Sequence, residues 1–128
     1  IYQALSFRAT TWLVEHLNSL PIPIPQNDKE ATYTSKFDTS MSQLDLKKPA
    51  MNLLNQIRAF QTFPKSKLKI GGHECIILEA HLDTKTEADN RAKIKFTCGD
   101  NQNIIIDRLQ PLGRKPMDAN SFYNGYMK

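Results

Sequence analysis

The chain has 128 residues, 40% hydrophobic and 23% charged, which suits one domain, or one small domain with part of another, and excludes an intrinsically disordered chain. The net charge of +4 is uneven: residues 1–46 carry −2 and residues 47–128 carry +6, so a polyanion is the natural partner of the second part. No apolar run could cross a bilayer and no signal peptide is visible, so we expect no membrane contact and a cytoplasmic location.

Helical periodicity dominates the start of the chain. Apolar residues recur near helical spacing between residues 2 and 20 and predict a helix with one broad apolar stripe. The sequence PIPIPQ at 21–26 ends it, because each proline removes a backbone donor and fixes an extended conformation. Residues 27–42 are polar and predict a mostly extended surface segment. A second helix is predicted at 48–60, with Pro49 in its first turn.

The period changes to two after Pro64. Lysines at every other position, Lys65, Lys67 and Lys69, predict a strand with three ammonium groups on one face. The dipeptide at 71–72 is Gly-Gly, a signal for a tight hairpin. The return strand, 75–82, is predicted to carry one face made of Ile76, Leu78, Ala80 and Leu82.

A second cationic strand is predicted at residues 91–96, where Arg91, Lys93 and Lys95 alternate with apolar residues. Residues 103–109 form a further predicted strand, and Asp118 can cap a short helix after it. Neither cationic triplet has an acid at its outward positions, whereas an ordinary solvated face mixes signs. Short hairpin-linked strands with a few helices predict a mainly β, α+β fold, a small antiparallel barrel with flanking helices.

The residues suggest no catalytic or metal site. Three histidines, His16, His73 and His81, are far apart and have no paired cysteine or carboxylate cluster. Asp83 lies two residues from His81 and is expected to form a surface pair with it at a strand end. The Gly-Gly pair lies between strands rather than before a helix, so it is a turn and not a phosphate-binding loop.

The two cysteines, Cys75 and Cys98, lack the partner spacing of a zinc site. A domain of this size does not need a covalent cross-link, so buried thiols are favoured over a disulfide. The expectation is therefore that the chain holds no metal, no cofactor and no catalytic residue.

The end of the chain carries a family signature. RLQPLGRKPMDANSFYNG (108–125) resembles the end of bacterial methionyl-tRNA formyltransferases, where a strand runs into Leu-Gln, a Gly-basic-basic turn, a Met and a short capped helix. PQNDKEATYTSKF (25–37) resembles that family's exit from its catalytic domain. LDLKKPA (44–50) and IRAFQTFP (57–64) resemble its linker end and first C-terminal helix, although Leu46 stands where the family usually has Trp. The stretch between Leu82 and Ile94 is shorter than usual, which puts one strand pair in doubt.

This resemblance implies an enzyme in two parts. A missing N-terminal catalytic domain would bind 10-formyltetrahydrofolate and transfer its formyl group to the amino group of initiator methionyl-tRNA. Residues 1–36 would be the last helix and exit segment of that domain, 37–46 a linker, and 47–128 an OB-like domain that binds tRNA. The fragment alone is expected to be inactive.

Cationic side chains are the candidate tRNA contacts, because phosphates attract them without sequence reading. The first candidates are Lys65, Lys67, Lys69, Arg91, Lys93, Lys95, Arg114 and Lys115. The second are Lys47, Lys48, Arg58 and Arg108, with a pair to Asp45 as an alternative role of Arg58.

Two alternatives stay open at this stage. The barrel could be a structural or docking module of a formyltransferase that acts on small molecules, such as sugar nucleotides or folate, and such a module needs no cationic strand faces. The helix at 2–20, separated from the sheet it would cover, is expected to pair with a second copy or to fold back on the barrel.

Overall fold

The computed structural model describes residues 1–19, 21–86, 89 and 93–128. The chain divides into two compact units, Ile1–Thr34 and Ser35–Lys128. The first unit contains helix α1 (Tyr2–His16), none of whose side chains is buried, and a 3-10 turn, Asp28–Glu30. The predicted first helix is confirmed as far as His16, and residue 20 lies outside the described residues. No described helix combines the length and the apolar character that a membrane span requires.

In the residues that the structure describes completely, the second unit contains two α-helices and five strands. A short 3-10 helix, Thr39–Ser42, precedes helix α2 (Ala50–Ala59), which lies within the predicted range 48–60 and begins directly after Pro49 rather than including it. The strands and the last helix follow in the order β1 (Ser66–Ile70), β2 (His73–Leu82), β3 (Lys95–Thr97), β4 (Asn103–Pro111), β5 (Met117–Asp118) and α3 (Ala119–Tyr126). The prediction of a strand at 91–96 needs correction. In the described residues, the strand is confined to the three residues of β3.

The strands form one antiparallel sheet with the order β1-β2-β4-β3, and β5 pairs with the far end of β4. The prediction of an antiparallel α+β fold is confirmed. In the part of the chain that the structure describes, the sheet is open rather than closed into a barrel, because β1 forms one edge and β3 and β5 form the other. No described residue between Leu82 and Lys95 belongs to a strand, in line with the short connection seen in the sequence.

One face of the sheet makes the core with α2 and α3. The apolar stripe of α2 lies against β2 and β4, and α3 lies against β4 and β5. The fully buried side chains at the centre include Leu53, Ile104, Leu109 and Phe122. Ile105, which alternates with the core residues Ile104 and Ile106, is 2% exposed, so the opposite face of the sheet is covered at that point as well.

The predicted apolar face of β2 is wrong, because the pairing of β2 with β4 is irregular at Glu79. Cys75 and Ile77 are buried in the core, whereas Ile76 and Leu78 are half-buried outside it. The pairing with β4 shifts register on both sides of Glu79, and beyond that point the core-facing residues are Ala80 and Leu82. The register is the same on both sides, Ile77 with Leu109 and Ala80 with Ile106, so neither strand gains a residue. The irregular pairing at Glu79 exchanges the core-facing set in both strands, and no single face of β2 carries all four predicted residues.

Residues 37–46, predicted as a linker, are part of the second unit. Ser42 and Leu44 are buried there, and the Leu44 N–H donates to the Lys67 carbonyl at 2.9 Å. This segment lies along the outer edge of β1, where Gln43 forms a parallel bridge with Lys67. It therefore protects an edge strand from pairing with another chain.

Two short sequence signals are confirmed. Gly71 and Gly72 have φ of +55° and +85° and form the turn between β1 and β2. Such angles are rarely accessible to other residues. Asp118 caps α3, because its carboxylate accepts a hydrogen bond from the Ser121 N–H at 2.9 Å.

Candidate nucleic-acid interface

Hydrogen bonds hold the turn between β4 and β5 in one conformation. The Leu112 N–H donates to the Glu74 carbonyl at 3.0 Å, and the Arg114 N–H donates to the Pro111 carbonyl at 3.0 Å. The Gln110 side-chain amide donates to the Arg114 carbonyl at 2.8 Å. These bonds anchor the turn to β2 and close it on itself, so its side chains leave from a defined backbone.

The same turn presents two cations to solvent. Gly113 has a φ of +75°, in the left-handed region that favours glycine. Arg114 and Lys115 follow it and are exposed, and within the described residues neither has a carboxylate within 4.0 Å. An exposed cation without an acid partner keeps its full attraction for a phosphate.

β1 carries fewer outward cations than predicted. Lys65 precedes the strand and has a φ of +69°, so only Lys67 and Lys69 alternate outwards within it. The Lys67 ammonium lies 4.0 Å from the Glu74 carboxylate, and the antiparallel register places Glu74 directly opposite Lys69. The triplet itself holds no acid, but the neighbouring strand supplies one to this face.

The second predicted triplet is divided among different surroundings. The Lys95 ammonium donates to the Asp83 carboxylate at 2.9 Å, and the Asp83 side chain is only 6% exposed. This bond keeps the pKa of Asp83 below its ordinary value, so the pair is ionised at neutral pH. Lys93 is exposed and its ammonium lies 5.8 Å from the centre of the Tyr123 ring. Arg91 lies outside the described residues.

Arg108 faces an acid on the neighbouring strand as well. Its guanidinium lies 3.6 Å from the Glu79 carboxylate, and both side chains are exposed. Exposed pairs of this kind contribute little, about 0–1 kcal/mol, so a phosphate can replace Glu79. Three acids thus face predicted cations without being among the sequence-based candidates: Glu74, Glu79 and Asp83. The position of Glu74 opposite Lys69 could have been predicted from the register of the hairpin.

The remaining candidates lie around α2. Lys47 and Lys48 are exposed just before the helix. Arg58 is exposed on it and donates to the side chain of Asn55. The alternative pair between Arg58 and Asp45 is not formed, because the Asp45 carboxylate instead accepts from the Lys47 N–H at 3.1 Å. All three cations are open to an anionic partner.

A histidine lies between two carboxylates at the end of β2. His81 Nδ1 is 2.7 Å from Asp107, and His81 Nε2 is 3.1 Å from Asp89, whose side chain is 7% exposed. The expected pair of His81 with Asp83 is thus wrong, because Asp107 on β4 and Asp89 are its partners. Only a protonated imidazole donates from both nitrogens, so the hydrogen bond to Asp107 raises the pKa of His81.

This arrangement predicts a pH dependence of stability. A raised pKa in the folded state stabilises fully below the ordinary histidine pKa of about 6.5. We therefore expect the free energy of unfolding to fall as the pH rises through the raised pKa of His81. Asp107→Asn should lower that pKa, as measured by NMR titration of the ring protons, whereas the control Asp28→Asn should not. An unchanged His81 pKa in Asp107→Asn would contradict the assignment.

The other reactive groups in the described residues have structural surroundings. Cys75 and Cys98 are buried free thiols, as predicted. Burial raises the pKa of Cys75 to about 11, so it is a poor nucleophile at neutral pH. No group of three or more metal-ligating side chains occurs in residues 1–19, 21–86, 89 and 93–128. What the described surface offers a partner is therefore positive charge.

Comparison with known protein families identifies the class to which the chain belongs. Residues 36–127 match the family described as formyl transferase, C-terminal domain, and the chain belongs to this family. The match includes α2, the whole sheet and α3. The resemblance noted in the sequence is thereby confirmed.

Individual relatives narrow the class. The chain is 30% identical over 139 residues to the methionyl-tRNA formyltransferase of Pseudoalteromonas translucida and 31% identical over 132 residues to that of Ruegeria pomeroyi. Each alignment covers 98% of this chain and 43% of the relative, so the chain spans less than half of their length. HypX from Aquifex aeolicus, solved with tetrahydrofolic acid, has a similar fold: TM-score 0.62, 13% identity, 91% of this chain and 22% of HypX.

Proposed function

We propose that the chain is the C-terminal part of an enzyme that transfers a formyl group from 10-formyltetrahydrofolate to the amino group of initiator methionyl-tRNA in the cytoplasm. The observation that carries this proposal is the match of almost the whole chain, 98%, to relatives named methionyl-tRNA formyltransferase. The folate is a substrate of the complete enzyme, and we assign no described residue to it. The catalytic groups belong to the N-terminal part, so this chain alone transfers no formyl group.

The role of the chain is to hold the tRNA by its phosphates. The support is the set of cations that no described acid neutralises: the exposed Lys47, Lys48, Arg58, Lys93, Arg114 and Lys115, and the half-buried Lys65. Lys69, opposite Glu74, is a weaker contact, and Lys67 and Arg108 contribute after exchange of their acid partners. Lys95 is bound to a nearly buried Asp83 and is the least available of the candidates.

Removing the two cations of the rigid turn tests this role. Arg114→Ala with Lys115→Ala should weaken tRNA binding by roughly ten- to thirtyfold near physiological salt, because two phosphate contacts are lost. The slope of log affinity against log salt should become shallower by about two. Fluorescence anisotropy of labelled tRNA over a series of salt concentrations measures both quantities.

The control pair is Arg8→Ala with Lys29→Ala, which removes the same charge from the N-terminal unit. It should leave both the affinity and the slope almost unchanged. Equal losses in the two variants would show that only net charge matters, and the turn would then not be the contact.

The acids on the sheet favour one rival function. Lys67, Lys95 and Arg108 all have carboxylate partners within 4.0 Å, as expected of a domain whose charges stabilise only itself. In that case the domain would be a structural or docking module of a small-molecule formyltransferase. Wild-type chain that binds tRNA no more tightly than a neutral protein does would support this rival.

A further inference from the structure

A small hollow opens beside the cationic turn, at the start of β2. Its volume is about 290 Å³, at the lower end of the range for ligand pockets. It is lined by His73, Glu74, Pro111, Leu112, Arg114 and Tyr126. Its wall is therefore built from the start of β2, the end of β4, the turn after β4, and α3.

The aromatic part of the wall is firmly supported. The Tyr126 ring is stacked on Phe122, with centroids 5.0 Å apart and planes 12° apart, and Phe122 is fully buried. The His73 ring stands nearly perpendicular to both and is 5.2 Å from the Tyr126 ring. His73 itself is exposed. A half-exposed aromatic wall of this kind can accept a flat ring by stacking or by an edge contact.

The polar groups of the hollow favour an anionic ligand. Arg114 lies on its rim, on the backbone that the Gln110 amide fixes. Glu74 is the one acid in the lining, and it is already engaged: its carboxylate is 4.0 Å from the Lys67 ammonium and accepts from the Gln43 amide at 3.4 Å. The hollow thus combines a flat apolar wall with an uncommitted guanidinium, which suits a base and its phosphate.

We propose that this hollow binds one unpaired nucleotide of the tRNA, with the base against His73 and its phosphate on Arg114. The inference rests on the proposed function and adds to it. Cations on phosphates hold any RNA equally, and side chains cannot read the deep groove of an A-form helix. A nucleotide outside the helical stack is the feature that distinguishes one folded RNA from another, and aromatic side chains recognise it.

Two hairpin RNAs test the proposal directly: one fully paired, and one identical except for a single bulged adenosine. Wild-type chain should bind the bulged RNA about tenfold more tightly, in line with one base stacked on an aromatic side chain. His73→Leu should lose this preference and His73→Phe should keep it. Neither change should alter affinity for the paired RNA or its salt slope, because no charge contact is removed.

A second measurement needs no variant. Adenosine 5′-monophosphate titrated into the wild-type chain should shift the NMR signals of the His73 ring and of the Arg114 side chain. Absence of these shifts, or equal binding of the two hairpins by wild-type chain, would overturn the proposal.

The outcomes separate this inference from the function on which it rests. Binding of tRNA that depends on Arg114 and Lys115, with no preference for the bulge, leaves the proposed function intact and refutes the nucleotide site alone. Absence of binding to tRNA and to both hairpins refutes the two together.

Discussion

Gly99→Ala is expected to destabilise the C-terminal unit by about 3 kcal/mol or more, at the upper end of the cost of overpacking. A β-carbon at this position would lie 1.8 Å from the Lys47 carbonyl oxygen and 2.5 Å from the Lys47 carbonyl carbon. Both are backbone atoms, so no rotation of a side chain relieves the clash. The loop after β3, the segment before α2, or both, must move.

That movement would break two bonds that join the loop to the helix. The Gly99 N–H donates to the Lys48 carbonyl at 3.0 Å. The Asp100 carboxylate accepts from the Ala50 N–H at 3.1 Å and so satisfies a donor in the first turn of α2. Since α2 covers the core face of the sheet, the loss extends beyond the loop.

The same substitution at Gly125 is the matched control. Gly125 lies within α3, where an added β-carbon meets nothing within 4 Å. Alanine is favoured over glycine in a helix by about 0.5–1 kcal/mol, so Gly125→Ala should be neutral or stabilising. Urea unfolding followed by far-UV circular dichroism measures both variants. The single tryptophan, Trp12, lies in the N-terminal unit and is not a suitable probe. Similar stabilities for the two variants would contradict the argument.

The parts of the fold that were predictable depend on local chemistry. Gly71 and Gly72 specify a turn because few other residues adopt their φ angles. Pro49 marks the start of α2 and Asp118 that of α3, because each position is defined by the first helical turn alone. Such signals act within three or four residues and need no knowledge of the tertiary structure.

The core-facing residues of β2 were not predictable, because the irregularity in its pairing depends on another strand. The register shift near Glu79 arises in the pairing with β4, about thirty residues later in the chain. The sequence of β2 has apolar residues at consecutive positions from Cys75 to Leu78, so its pattern does not reveal which alternate set is buried. The irregular pairing of Glu79 with Arg108 then exchanges the two sets.

The candidate site was predicted as a set of charges, and its partners were not. The two-residue turn between β1 and β2 fixes which residues are opposite each other, and Glu74 could have been placed against Lys69 from that register alone. The pair of Lys95 with Asp83 has no such signal, since it joins β3 to the residue after β2 across a separation of 12 residues in the chain. Arg114 could be predicted as a candidate contact without knowledge of its neighbours, because it lies in a turn that the sequence itself specifies.

These differences change which cations matter most. Strand lysines beside acids contribute little net attraction for RNA, because an incoming phosphate must first displace a carboxylate. Cations on turns and at helix starts have no such cost. The interface that we propose is therefore concentrated at the ends of the sheet rather than spread over its outer face.

Phe122→Ala is expected to lower the free energy of unfolding by about 3–5 kcal/mol, a large share of the stability of a domain of this size. Phe122 is 0% exposed and joins α3 to the core formed by β1, β2 and β4. Its ring also supports Tyr126 and His73, so the wall of the nucleotide hollow should loosen in the molecules that stay folded.

The matched control is Phe7→Ala in α1, where the side chain is 75% exposed and the same truncation should change stability by less than about 0.5 kcal/mol. Urea unfolding gives both values. Amide hydrogen exchange of β4 separates loss of the whole core from fraying of α3, because only the former exposes residues 103–111. A cost below about 1 kcal/mol for Phe122→Ala would mean that α3 contributes little to the core. The hollow between α3 and the cationic turn would then lack a rigid wall.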